Sequence, residues 1–167
     1  AVEQYDQVVL ACHSDQALQL LAAPSEAEQS ILCALPYADN EVVLHTDTRL
    51  LPQRKLAWAS WNFRLGGAGH TRAAVTYDMN ILQGIQSDTT FCVSLNQSAA
   101  INPFKVLAKY TYAHPQYSLA AVAAQARRGE LDGQQHTWYC GAYWANGFHE
   151  DGVVSALHVA RAFGEHL

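Results

Sequence analysis

The chain has 167 residues, of which half are hydrophobic and 15% charged, with a net charge of −5 and a sequence pI of about 5.8. That is enough apolar content for a core in one compact domain, and the ten Lys and Arg are scattered, which argues against a nucleic-acid surface or electrostatic gain from anionic lipid. No long uncharged apolar run is present, so no integral membrane segment is predicted.

A strand-like run, Val8-Val9-Leu10-Ala11-Cys12, follows the start almost at once, with little chain before it to pair with. This predicts a chain that begins inside a larger architecture. His13-Ser14-Asp15 reads as a turn with a cap, leading into a helix over Gln16 to Ala22 that ends at Pro24. Ser25 with Glu28 makes a capping box for a second helix, from Glu26 to about Leu35, which Pro36 stops. From Asn40 the period changes to two. Strands are predicted over Val42 to Leu44, Ala57 to Phe63, Ala74 to Tyr77, Phe91 to Asn96 and Val106 to Tyr112, with a hairpin loop at Gly66-Gly67-Ala68-Gly69. A helix over Ser118 to Arg128, with Gly129 near its C-cap, precedes the terminal segment.

That terminal segment carries the densest signal. Thr137 to Cys140 reads as a buried strand, Gly141 to Phe148 as a turn rich in glycine and aromatics, and His149-Glu150-Asp151-Gly152 as the opening of a helix. Val153, Ala156, Leu157, Ala160 and Phe163 recur at helical spacing and are predicted to form its buried face. A strand that turns into a helix presents free N–H groups and the positive end of the helix dipole, suited to an anion or an electron-rich ring. The fold class predicted is α+β, an antiparallel or mixed sheet with flanking helices.

Other chemistry is poorly supported. His45 and Asp47 share a strand face, and His149-Glu150-Asp151 is a polar cluster, but no spacing supplies further metal ligands, so no metal is predicted. There is no Gly-x-Ser-x-Gly elbow, and Ser60 and Ser94 read as packing residues. Cys12, Cys33, Cys92 and Cys140 lie far apart in apolar runs and read as buried free thiols of a reducing, cytoplasmic compartment. Trp61-Asn62 and Tyr77-Asp78-Met79-Asn80 place aromatics beside amides at strand ends, a pattern that lines pockets and equally builds cores.

Taken together, YDQVVLACHSDQALQLL (5–21), VVLHTDTRLLP (42–52), AWASWNF (57–63), VTYDMNILQ (75–83), FCVSLNQ (91–97), YAHP (112–115) and WYCGAYWANGFHEDG (138–152) resemble the C-terminal part of FAD-dependent oxidoreductases of the flavin-containing amine oxidase superfamily. The branch resembled is that of predicted NAD/FAD-binding proteins like the N-terminal oxidoreductase portion of plant cyclopropane fatty acid synthases. The resemblance implies that residues 1–14 and 134–167 are C-terminal elements of an FAD-binding domain, and that 15–133 form a substrate domain. It implies FAD as cofactor, with Gly141, Ala142, Tyr143, Gly147, Phe148, His149, Glu150, Asp151 and Gly152 around it. Trp61, Asn62, Tyr77 and Asn80 fall on the substrate side, and a small-molecule or fatty acyl substrate is implied. Tyr143 stands where many amine oxidases have an acid, and Asp151 where they often have glycine. No Gly-x-Gly-x-x-Gly turn for the pyrophosphate occurs in the chain, so the resemblance implies a fragment of a larger enzyme, inactive by itself. Two alternatives stay open: a catalytically silent binding or scaffold module associated with lipid modification, and a small-ligand domain unrelated to flavin.

Overall fold

The computed structural model describes residues 2–65 and 74–165; the predicted loop at Gly66 to Gly69 lies outside them. In chain order the regular elements are β1 (Val8–Leu10), α1 (Ser14–Leu20), α2 (Glu26–Cys33), β2 (Tyr37–His45), β3 (Trp61–Phe63), β4 (Val75–Asp78), α3 (Met79–Gln83), β5 (Cys92–Leu95), β6 (Val106–Pro115), α4 (Leu119–Gln125), β7 (Thr137–Tyr139) and α5 (His149–Ala162). The protein is α+β, with an antiparallel sheet and flanking helices.

Two compact units divide it, Ala1–Ala38 with His114–Leu167, and Asp39–Ala113. These bounds differ from the expected 1–14 with 134–167 and 15–133. In the first unit β1 and β7 pair in parallel, Val8 opposite Thr137 and Leu10 opposite Tyr139. The reason for the wider bounds is a shared core: Ala17 of α1, Ile31 and Leu32 of α2, and Ala121 and Ala124 of α4 pack with Tyr139, Tyr143 and Trp144. The capping box forms as predicted, with Ser25 Oγ accepting from Glu28 N–H and Glu28 Oε2 accepting from Ser25 N–H.

The second unit holds a sheet in the order β3-β4-β5-β2-β6. Val43 pairs with Ser94 and Thr76 with Ser94 on its two sides. Val43, Leu50 and Ile101 form a small core, against which Val106 packs.

Several elements depart from expectation. The strand predicted over 57–63 is strand only at Trp61–Phe63, because Trp58 Nε1 donates to Pro52 O at 2.7 Å and the Asn62 side chain binds Ala59 N–H and O, which turns the chain before it. After Asp78 the chain becomes the short helix α3, since Asp78 Oδ1 accepts from Ile81 N–H and Gly84, at φ +66°, ends the helix. Helix α4 stops at Gln125, and Gly129 lies in a separate 3-10 turn.

Helix α5 is rotated from the predicted orientation. Ser155 and Val159 are its buried residues, whereas Val153, Ala156 and Phe163 are exposed. The buried side follows hydrogen bonding, not hydrophobic spacing: Ser155 Oγ accepts from Gly141 N–H at 3.0 Å, and Ser155 O accepts from Arg128 Nη2 at 3.2 Å. Of the four thiols, Cys92 and Cys140 are buried, but Cys33 is exposed at the end of α2, where the helix turns that position to solvent. Among the described residues no helix is long and apolar enough to cross a membrane.

Candidate functional site

Parallel strands bring their carboxyl ends to one edge, the usual position of ligands in parallel α/β layers. Here β1 runs into Cys12-His13 and α1, while β7 runs into Cys140-Gly141 and the turn before α5. Cys140 N–H donates to Leu10 O at 3.1 Å, which extends the pairing to the lip of that edge. His13 stacks on Tyr37 with ring centroids 4.0 Å apart. Burial first, and then the nearby Tyr117, Asp15 and Cys12, push the Tyr37 hydroxyl up to about 12.

The expected flavin residues all lie in this unit, on one continuous turn. Gly141 is extended, and a Cβ there would lie 2.4 Å from the Tyr143 ring and 3.4 Å from Cys12 O, so this glycine makes room for a neighbouring ring. Ala142, Tyr143 and Trp144 form a 3-10 turn. Trp144 Nε1 donates to Tyr139 O, and Gln125 Nε2 donates to the carbonyls of Tyr143 and Ala145 at 2.8 and 2.6 Å, which fastens the turn to α4. Gly147 takes φ +86°, which disfavours a side chain, and a Cβ there would lie 2.6 Å from Tyr117 Oη. Phe148, exposed, stands at the N-cap of α5, and His149 and Glu150 follow, also exposed.

Three features bear on whether this turn suits a flavin. The first-turn amides of α5 lack acceptors within the helix, as in any α-helix, and the dipole favours electron density there. Gly152 is half-buried, and a Cβ on it would meet only Ala142, at 4.0 Å, so the helix start is narrow where it crosses the turn. Tyr143 is fully buried, and its Oη is the buried side-chain polar atom without a hydrogen-bond partner among the described residues. Burial first, with Tyr37 and Cys140 nearby, raises the Tyr143 hydroxyl above the ordinary phenol range. The amides at the start of α5 suit an anion or the edge of an electron-rich ring, while Tyr143 Oη is enclosed within the core. Asp151 is the opposing element. Its Oδ2 accepts from Asn146 N–H at 3.1 Å and Phe148 N–H at 2.9 Å, so part of the turn's donor capacity is already committed within the chain.

The expected substrate residues belong to the second unit. Trp61 and Tyr77 pair across β3 and β4, their rings edge to face at 5.6 Å. The two amides are committed to backbone: Asn62 Nδ2 donates to Ala59 O and Thr76 O, while Asn80 Nδ2 donates to Thr89 O and its Oδ1 accepts from Phe91 N–H. They brace loops. Asn62 also lines a cleft with Arg49, Phe63 and Arg64, a set the sequence reading passed over.

Beside them lies a buried polar chain. Asp47 N–H donates to His45 Nδ1 at 3.0 Å, which leaves the proton on Nε2 to donate to Ser94 Oγ at 2.9 Å; Ser94 Oγ is in turn 2.7 Å from Thr76 Oγ1. All four side chains are buried, and burial lowers the His45 pKa despite the nearby Asp47. This chain satisfies polar groups buried within the sheet unit. Among the described residues no group of three or more His, Cys, Asp or Glu is arranged to hold a metal ion. No protein-family model matches the chain, and no curated protein sequence matches it.

Proposed function

We propose that this chain forms the flavin-capping turn and the substrate-side sheet of an FAD-dependent oxidoreductase related to the amine oxidases. The observation that carries the proposal is topological. The two ends of the chain make one unit through the parallel pairing of β1 with β7, and the antiparallel sheet is inserted between them. A cofactor domain that the chain leaves and re-enters has this connectivity, and its ligand edge lies at the carboxyl ends of the paired strands.

A bound FAD would accept a hydride or electrons from the substrate. The chain's own contribution is orientation and charge. The amides of His149 and Glu150, at the start of α5, favour electron density that grows on reduction, an interaction stronger in the reduced state than in the oxidised one. Gly141 and Gly147 fix the path of the turn, and Ala142 with Gly152 keeps it thin. Trp61 and Tyr77 are the remaining candidates for the substrate side, since Asn62 and Asn80 are engaged with backbone. The pyrophosphate contacts require residues outside these 167.

One observation favours a second reading, a catalytically silent binding module: Asp151 already holds two amides of the turn and sets a carboxylate at the helix start. The absorption spectrum of the full-length gene product, before and after dithionite, tests the proposal. Flavin bands that bleach support it, and the silent module then predicts that no fatty acyl compound or amine bleaches them. A colourless product that takes up no added FAD overturns both flavin roles.

A further inference from the structure

Charge is unevenly distributed along the sequence. Between Thr48 and Tyr77 there is no acidic residue, yet Arg49, Arg54, Lys55, Arg64 and Arg72 fall there, half of the ten cations of a chain with net charge −5. The structure gathers part of this run around two adjoining clefts within the sheet unit. One, of about 350 Å³, is lined by Arg49, Arg64, Leu51, Pro52 and Phe63, among others. The second, of about 520 Å³, shares the Arg49, Leu51, Pro52 and Gln53 wall and adds Lys55 and Trp58. Volumes of this size suit small ligands.

The cations of these clefts are poorly neutralised. Asp47 is buried and takes Nε and Nη2 of Arg49, at 2.9 and 2.5 Å, and those hydrogen bonds hold its carboxyl well below the usual range despite burial. Arg49 itself remains 65% exposed, a guanidinium held in place by a carboxylate beneath it, with no partner for Nη1 among the described residues. Lys55 Nζ lies 5.6 Å from the centre of the Trp58 ring, and Trp58 is pinned by its bond to Pro52 O. Neither Lys55 nor Arg64 has an ion pair among the described residues. The clefts thus combine two uncompensated cations and one fixed guanidinium with a largely polar lining that also presents Pro52, Phe63 and Trp58.

We propose that these clefts bind a small amphiphile with an oxyanion head, a carboxylate or phosphate monoester on a short apolar tail. The head is held by Arg49, Arg64 and Lys55, and the tail lies along Leu51, Pro52, Phe63 and Trp58. A neutral tail alone would leave Arg64 and Lys55 without counter-charge, and a bare anion would leave the apolar part of the wall wet. The proposal is independent of the flavin assignment.

Calorimetric titration of the 167-residue chain with decanoate, decanol, decyl phosphate and inorganic phosphate tests it, at amphiphile concentrations below micelle formation. Saturable binding of decanoate and decyl phosphate is expected, with decanol and inorganic phosphate each at least about tenfold weaker. Arg64→Gln and Lys55→Gln, both at exposed positions, are each expected to weaken decanoate about tenfold with thermal unfolding unchanged, and added salt to weaken it further. Equal affinity for decanol and decanoate would overturn the proposal, as would indifference to both substitutions. A last arm uses vesicles of phosphatidylcholine with phosphatidylglycerol: binding to these without binding of monomeric decanoate or decyl phosphate would also overturn it.

Discussion

Tyr139 and Glu28 meet inside the first unit, 111 residues apart in sequence. Tyr139 Oη donates to Glu28 Oε1 at 2.6 Å, while Oε2 of the same carboxylate serves the cap of α2 through Ser25. Burial alone would raise the Glu28 pKa, but the hydrogen bonds from Tyr139 and Ser25 outweigh it and hold the carboxyl below its ordinary value. A carboxyl depressed by folding stabilises the protein above its unfolded pKa and loses that contribution as pH falls through the folded value. Tyr139→Phe removes the donor and leaves a buried charge under-satisfied. The expected loss is about 2 kcal/mol at neutral pH, shrinking in acid as Glu28 becomes protonated in both proteins. Urea unfolding at pH 7 and at a pH below 4 measures it, and an equal loss at both values would contradict this account.

At the scale of elements, the glycines on either side of the start of α5 separate two kinds of constraint. Gly147→Val forces a β-branched side chain into a left-handed position 2.6 Å from Tyr117 Oη and is expected to cost about 2 kcal/mol or more. Gly152→Ala meets nothing closer than 4.0 Å and replaces a poor helix former, so a gain of up to about 1 kcal/mol and a slightly raised Tm are expected. In the full-length product the same Gly152→Ala should lower FAD retention if the cofactor crosses the helix start, a loss that damaged folding would not explain. Thermal melts and flavin content check both. The Ser25 and Glu28 box was legible in the sequence because its partners are three residues apart, and the β-to-turn-to-helix order at the end of the chain was legible because period and glycines mark it locally. The face of α5 was not. Its interior side is chosen by Ser155, a polar residue that answers the N–H of Gly141, and hydrophobic spacing carries no record of that need. The cleft around Arg49 was missed for a related reason: the acid-free run from Thr48 to Tyr77 concentrates cations, but which of them share a cleft is decided only when β3 is laid beside the segment after β2.

At the scale of the molecule, the first unit is closed where the second departs from it. Gln116 N–H donates to Pro36 O at 2.8 Å, so the exit and return of the chain lie side by side. Replacing 39–113 by a short glycine-containing link should therefore leave the first unit able to fold, since little closure entropy is added and its core residues are all retained. Cooperative unfolding with the near-ultraviolet dichroism of buried Tyr139, Tyr143 and Trp144 is expected of the shortened protein, and loss of both signals would contradict it. The parallel pairing of β1 with β7 also orders events on the ribosome. The contiguous sheet unit has its strands in hand before Thr137–Tyr139 is made, so it can close first, while β1, with Val8 and Val9 exposed, waits for Thr137–Tyr139 before this pairing can form. During that interval the newborn chain displays a bare apolar strand, the kind of surface that chaperones grip and that neighbouring polysomes aggregate through.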